Sequence, residues 1–409
     1  ELKGDTMNHR AAAFFWNTVT RHHSYVTGGN GNDEYFGPAD KLKNRLGEGT
    51  TETCNVYNML KLSNQLFEMT ASPKYADFYE RALFNHILSS QNPENGRVVY
   101  NLSLDMGGYK AFQDPGDFTC CIGTAMESHS KYGSSIYFHN NNELFVYQYI
   151  ASELTWKEKD LKLKQTTSYP EEQGTMLEFT CGAPVKLTLC IRYPYWAQNG
   201  IEIIVNGKSG MYSQKPGSYI ALTRMWKTGD KVEIRMPFSL RLESMPDDSS
   251  RVAVMYGPLV LAGELGAVED TASLSPLFVP VLMTSDRNPA NWLSAVKNQP
   301  NTFTLTVGRP RNVTLKPFYK IYNERYTVYW DMFSETDWTL KQANYVAMLV
   351  FKKKLDKATV DFFQPGEMQP ERDHRFTGEK LELGSFKERP YRDTRSGWFS
   401  VEMKVDPSL

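Results

Sequence analysis

Thr119-Cys120-Cys121-Ile122 is the stretch on which the reading of this chain turns. Adjacent side chains inside a helix diverge by about 100° around its axis. For both thiols to reach one partner, the pair must sit in a loop or at the start of a helix. Asp114-Pro115-Gly116-Asp117, just upstream, supplies turn-formers that allow this. A third cysteine stands in Glu52-Thr53-Cys54. Three thiols and one carboxylate from two short segments are the donor set that suits zinc. A thiolate held near a metal also stays deprotonated at neutral pH, so the cluster could supply a nucleophile.

Working outward, residues 52–71 predict a helix with Val56, Met59, Leu60, Ser63, Leu66 and Phe67 on one face and Thr51 or Thr53 as its cap. Glu52 and Cys54 then lie at its start, where side chains two apart can still converge, and where a helix N-terminus stabilises thiolate and carboxylate. Ser72-Pro73 ends this helix and begins another over residues 73–90, with Tyr75, Phe78, Tyr79, Ala82, Leu83, His86 and Ile87 as its apolar stripe. His86 reads as a core histidine, with substrate contact as the alternative. Residues 1–22 predict a helix through Ala11, Phe14, Phe15 and Val19, and residues 121–135 a fourth that pairs Met126 with His129 and Glu127 with Lys131. Between the first two helices, Thr27-Gly28-Gly29-Asn30-Gly31-Asn32-Asp33-Glu34 is a glycine-dense loop. It lacks the spacing of a phosphate or dinucleotide loop. It either brings backbone close to a ligand and presents Glu34 to a pocket, or is an ordinary surface loop.

After residue 136 the period changes to two. Runs at 143–150, 161–167, 175–181, 185–193, 201–205, 219–222, 231–236 and 251–261 are separated by turns such as Asn140-Asn141-Asn142 and Asn206-Gly207, which predicts a β-sandwich. Aromatic strands are expected at 313–322 and 325–330, and β structure from 345 onward, ending in a strand at Trp398-Phe399-Ser400-Val401 that lacks partners. Repeats and low-complexity segments are absent.

The 409 residues predict two to three domains. A net charge of −1 with no long basic run argues against nucleic acid as a partner. No run approaches the ~18 apolar residues of a membrane span. The chain opens at Glu1 without a methionine or signal peptide, which suggests a processed or excised piece. Five cysteines cannot all pair internally; Cys181 and Cys190 are either buried thiols or a cross-strand disulfide.

Taken together, the pieces resemble the β-L-arabinofuranosidase-type glycoside hydrolases of families 127 and 146. The wording of Glu52-Thr53-Cys54-Asn55-Val56-Tyr57-Asn58-Met59-Leu60 is closest to family 146, as are Tyr79-Glu80-Arg81-Ala82-Leu83-Phe84-Asn85-His86 and Cys120-Cys121-Ile122-Gly123. Met255-Tyr256-Gly257-Pro258-Leu259-Val260 resembles the family's sandwich. The resemblance implies an α+β multidomain chain: part of an (α/α)6 barrel over 1–135, a β-sandwich over 136–265, a connecting β region over 266–344 and the start of a further β domain over 345–409. Only four barrel helices are counted, so the barrel is expected to be incomplete and its activity in this form an open question.

The resemblance also implies roles. Glu52, Cys54 and Cys121 match zinc ligands, Cys120 the nucleophile and fourth ligand, and Glu34 the acid/base, with Glu48 as fallback. His86, Glu127 and His129 are candidate substrate contacts. The implied cofactor is Zn2+, the partner an arabinofuranoside glycan, and the setting export by a bacterium to the periplasm or outside. The implied reaction is retaining hydrolysis through a thioglycosyl intermediate. With four protein ligands, zinc is expected to aim and ionise Cys120 rather than act as Lewis acid. Two alternatives stay open: a structural zinc site in a non-catalytic carbohydrate-associated protein, and a cysteine hydrolase of esters or amides with His86 or His129 as base.

Overall fold

The computed structural model describes residues 6–114, 116–268, 279–386 and 389–406. Pro115 of the expected turn and residues 269–278 of the expected connecting region lie outside these. The chain divides into two units, one of Glu1–Glu34 with Pro38–Ser334, the other of Tyr35–Gly37 with Glu335–Leu409. Both mix helices and strands, and sheets dominate the first beyond residue 136.

The first unit opens with four helices: α1 (Thr6–His22), α2 (Thr53–Thr70), α3 (Pro73–Ala82) and α4 (Cys120–Ser128). The expected helix over 73–90 is α3 continued by a π-turn at Leu83–Ile87 and a 3-10 turn at Leu88–Ser90. Pro73 at the first turn costs α3 nothing, because its missing N–H has no intrahelical partner there. The stripe of α2 is buried as its spacing predicts. Its cap differs: Glu52 holds the N-cap position and Thr53 begins the helix. Thr51 has φ 60° and donates its hydroxyl to the Leu102 carbonyl at 2.7 Å. The face of α1 also differs. Trp16 and Val19 are buried while Phe14 is 72% exposed. The reason is Trp16, whose ring meets Tyr75 at 4.6 Å and Phe78 at 5.6 Å while its N–H donates to Ser63 at 2.8 Å. That indole turns α1 on its seat.

Two antiparallel-dominated sheets follow. One orders Tyr137–His139, Glu143–Val146, Val185–Tyr193 and Ser218–Trp226; the other orders Ser152–Trp156, Leu161–Thr166, Gly174–Cys181, Lys231–Arg235, Glu202–Val205 and Lys208–Gly210. Their inner faces share one core, in which Phe179 and Trp226 stack at 4.3 Å. Cys181 and Cys190 lie in different sheets and are free thiols, so no disulfide joins them. A third sheet, of ten strands, is built around Asp248–Tyr256 and Leu259–Ala267. The expected single strand at 251–261 is therefore a hairpin: Tyr256 pairs with Leu259 around Gly257, whose φ of 54° suits the first position of a two-residue turn.

α3 fastens the helices to these sheets. Arg192, fully buried, reaches Asp77 at 2.8 Å and Glu80, and its Nε donates to the Tyr147 carbonyl at 2.9 Å. Glu80 also accepts from Trp196 at 2.8 Å and Tyr169 at 2.7 Å. The next residue, Arg81, forms a two-pronged pair with Glu243 at 2.7 and 2.9 Å. Asn85 donates to the Pro258 carbonyl and accepts from the Val260 N–H, at 2.8 and 2.7 Å. The Tyr79-to-His86 wording is thus largely a bracket between layers.

In the second unit, Glu335–Ala358 is a 24-residue helix, α5, where β structure was expected from 345. A short helix at Met368–Asp373 and two small two-stranded sheets, one of them pairing Glu382–Phe386 with Arg389–Asp393, make up the rest of its described elements. Phe399–Ser400 does find a partner, in Thr377–Gly378. No helix among the described residues is long and apolar enough to cross a membrane.

Candidate metal and catalytic centre

α2 and α4 bring their N-termini together, and each carries two of the four donor groups. Cys54 is the second residue of α2 with Glu52 as N-cap; Cys120 and Cys121 are the first two residues of α4. Thr119 caps α4, its hydroxyl accepting from the Ile122 N–H at 3.4 Å. At a helix start the adjacent cysteines converge, and both helix dipoles favour negative charge there. The donor atoms of Glu52, Cys54, Cys120 and Cys121 all lie within 4.8 Å of one another. Cys54 and Cys121 sulfurs are 3.2 Å apart, and Glu52 Oε1 lies 3.7 Å from Cys120 and 3.8 Å from Cys121.

The electrostatics of this cluster are those of a site that wants a cation. Burial pushes the Glu52 carboxyl up to about 7, with the Cys54 and Glu34 charges adding to it. The Cys121 thiol, hydrogen-bonded to Cys54, holds Cys54 down to about 6, and the same bond pushes Cys121 up. Burial raises Cys120 as well. The charges that bear most on these groups come from other acids. Three sulfurs and a carboxylate in mutual contact fit zinc by donor type and number.

Glu34 joins this cluster through a residue that sequence reasoning missed. Tyr100 donates its hydroxyl to Glu34 Oε1 and lies 3.5 Å from Cys120 Sγ. It stands in an extended segment tied to the start of α2 by the Thr53 N–H on the Tyr100 carbonyl and by the Glu52–Asn101 bridge. Asp33 and Glu34 have φ of 49° and 68°, so the loop turns sharply where it presents the carboxylate. Gly29 lets it pass: a Cβ there would lie 2.6 Å from Thr51 Cβ and 2.8 Å from His86 Nδ1. Glu48 is exposed, and Glu34 is the one that shares a partner with Cys120.

Each of the three expected substrate contacts has a protein partner. His86 is fully buried, with Nε2 3.4 Å from Thr53 Oγ1, and burial lowers it to about 3. His129 contacts Tyr132 at 2.5 Å and Ser90 at 3.5 Å, and burial lowers it to about 4. Glu127, exposed, acts on the Tyr57 hydroxyl. Neither histidine has Cys120 among its hydrogen-bond partners, so nothing here favours a cysteine–histidine hydrolase.

Comparison with known proteins points to one glycoside hydrolase family. Residues 1–134 match the β-L-arabinofuranosidase GH127 catalytic domain and residues 143–238 its middle domain. The chain belongs to this glycoside hydrolase family; the label of both matches is 127 rather than 146. Residues 354–408 match a family of unknown function, DUF6805. Similar solved structures include a GH127 β-L-arabinofuranosidase from Geobacillus stearothermophilus, with TM-score 0.65 and 21% identity over 81% of this chain and 58% of that one. Another is a GH127 β-arabinofuranosidase with TM-score 0.66 and 21% identity over 81% of this chain and 57% of that one. A third, a glycoside hydrolase, has TM-score 0.61 and 19% identity over 78% and 61%. At these identities the likeness is one of fold. The chain spans less than two thirds of each of these structures. No curated protein matches it.

Proposed function

We propose that this chain carries the catalytic centre of a retaining glycoside hydrolase that releases L-arabinofuranose from plant glycans or glycoconjugates. The observation that carries the reading is the line Glu34–Tyr100–Cys120 beside Glu52, Cys54 and Cys121. Cys120 is the exposed thiol of the cluster, while Cys54 and Cys121 are buried, which suits a nucleophile more than a purely structural knot. Protonated Glu34 gives its proton to the leaving glycosidic oxygen as Cys120 Sγ attacks the anomeric carbon. Glu34 then takes a proton from the water that breaks the C–S bond, returning free sugar and thiolate. Tyr100 holds the Glu34 carboxylate in line with the sulfur. Zinc, bound by Glu52, Cys54, Cys120 and Cys121, would keep the sulfurs ionised at neutral pH.

The same reading makes α1 to α4 part of an (α/α)6 barrel. The outward apolar side chains Phe14, 72% exposed, and Met126, 73% exposed, support this, since further barrel helices would cover such a face. The test is hydrolysis of p-nitrophenyl β-L-arabinofuranoside in reducing buffer with zinc, on this chain and on a version extended to complete the barrel. Nitrophenol release that Cys120→Ser and Glu34→Gln both abolish is the expected result. Silence from both lengths would overturn the assignment.

A further inference from the structure

The structure assigns a positioning role to Thr124, in α4 one turn beyond the cysteine pair. Its hydroxyl oxygen lies 3.0 Å from Cys54 Sγ. We infer that Thr124 donates a hydrogen bond to the Cys54 sulfur and so fixes that cysteine as the anchoring ligand of the metal centre. The inference rests on the zinc reading and deepens it.

Three observations lead here. The first is register. Thr124 follows Cys121 by three positions, so both project from the same side of α4. Both reach the one sulfur that α2 contributes, Cys121 at 3.2 Å and Thr124 at 3.0 Å. The second is what helical threonines do elsewhere in this chain. Thr20 and Thr70 return their hydroxyls to the carbonyl four residues back, Trp16 at 2.8 Å and Leu66 at 2.9 Å, the usual resting place for a hydroxyl inside a helix. Thr124 instead turns to the sulfur. The third is valence. A hydroxyl has one proton to give, and a thiolate can only accept. Once Cys54 is ionised, the direction of this bond is therefore set.

The consequence is a division of labour among the sulfurs. Cys54 is buried and receives the Thr124 hydroxyl. A hydrogen bond to a ligand sulfur draws charge from it and orients it, and such outer partners tune affinity by about 10–100-fold. Cys120 is exposed, and the neighbouring Tyr100 hydroxyl gives its one proton to Glu34 rather than to this sulfur. One sulfur is fitted to stay, the other to react.

The test compares wild type with Thr124→Val, which keeps the shape and loses the donor, and with Thr124→Ser, which keeps the donor. Zinc affinity is read by competition with a chromophoric chelator, and the sulfur-to-metal charge-transfer band is read on the cobalt-loaded protein. The expected result is about tenfold weaker zinc binding and a band moved to longer wavelength in Thr124→Val, with both restored in Thr124→Ser. Thr124→Ala, which also lacks the donor, guards against misfolding of the valine variant. Wild-type affinity and an unmoved band in both donorless variants would overturn the role of Thr124 alone. A wild type that takes up neither zinc nor cobalt would overturn the metal centre itself, and this role with it.

Discussion

At the scale of single residues, the centre is held by contacts with little room to spare. Gly29 is the plainest case, because any side chain there would meet both Thr51 and His86. Gly29→Ala is expected to cost about 1–3 kcal/mol, the usual range for overpacking, read as a lower urea midpoint with an unchanged slope. The grouping of Glu52, Cys54, Cys120 and Cys121 was legible, since two short cysteine segments of this kind are a rare pattern, and the glycine-rich loop drew notice to Glu34. Tyr100 and Thr124 were not. An isolated tyrosine in a short extended run and a threonine in a helix carry no spacing signature, and only tertiary packing brings them to sulfur. His86 was legible as core from its place on the apolar stripe of residues 73–90.

At the scale of elements, α3 bears most of the load. Arg192 is buried between Asp77 and Glu80, and burial pushes Asp77 up to about 7 even against that guanidinium. Removing the cation leaves two buried carboxylates facing each other, so Arg192→Met is expected to cost about 3–5 kcal/mol in a denaturant titration. The helical layer also has an acid-sensitive side. His86 and His129 are held well below the usual histidine range by burial, His86 also by Lys110. Between roughly pH 6.5 and 4 the unfolded chain takes up protons on both that the folded chain does not, so stability falls as the pH falls. In a series of melts across that window, His129→Gln is expected to show a shallower loss than wild type. Helix α5 escaped the sequence reading because its pattern has no continuous apolar stripe. Leu340, Met348 and Phe351 are exposed and Trp338 is buried, so the helix was hidden among aromatics that read as strand. The hairpin at Gly257 was hidden for a related reason: both its arms are buried, and two buried strands with a two-residue turn look like one long apolar run.

For the molecule as a whole, the order of helices then sheets was readable from the switch of hydrophobic period near residue 136, and the sandwich core follows that alternation closely, as in the strict in–out burial of Leu161–Thr166. Where one sheet ends and the next begins was not, because strand pairing is decided between distant segments. Zinc binding to the folded form alone should raise its stability by about 4 kcal/mol at a thousandfold excess over the dissociation constant. Thermal melting with and without a chelator is the measurement, with a lower transition expected after stripping and recovery on adding zinc back.

Residues 93–97 form an exposed turn, closed by the Asn92–Arg97 and Gln91–Val98 contacts, and it lies between the two segments that supply the donor groups. A single protease cut there would put Glu52 and Cys54 on one polypeptide and Cys120 and Cys121 on another. A metal bound by these groups would then be gripped by two molecules instead of one. Its retention would depend on dilution, and the centre would become a gauge of how firmly α2 and α4 adhere without a covalent thread between them.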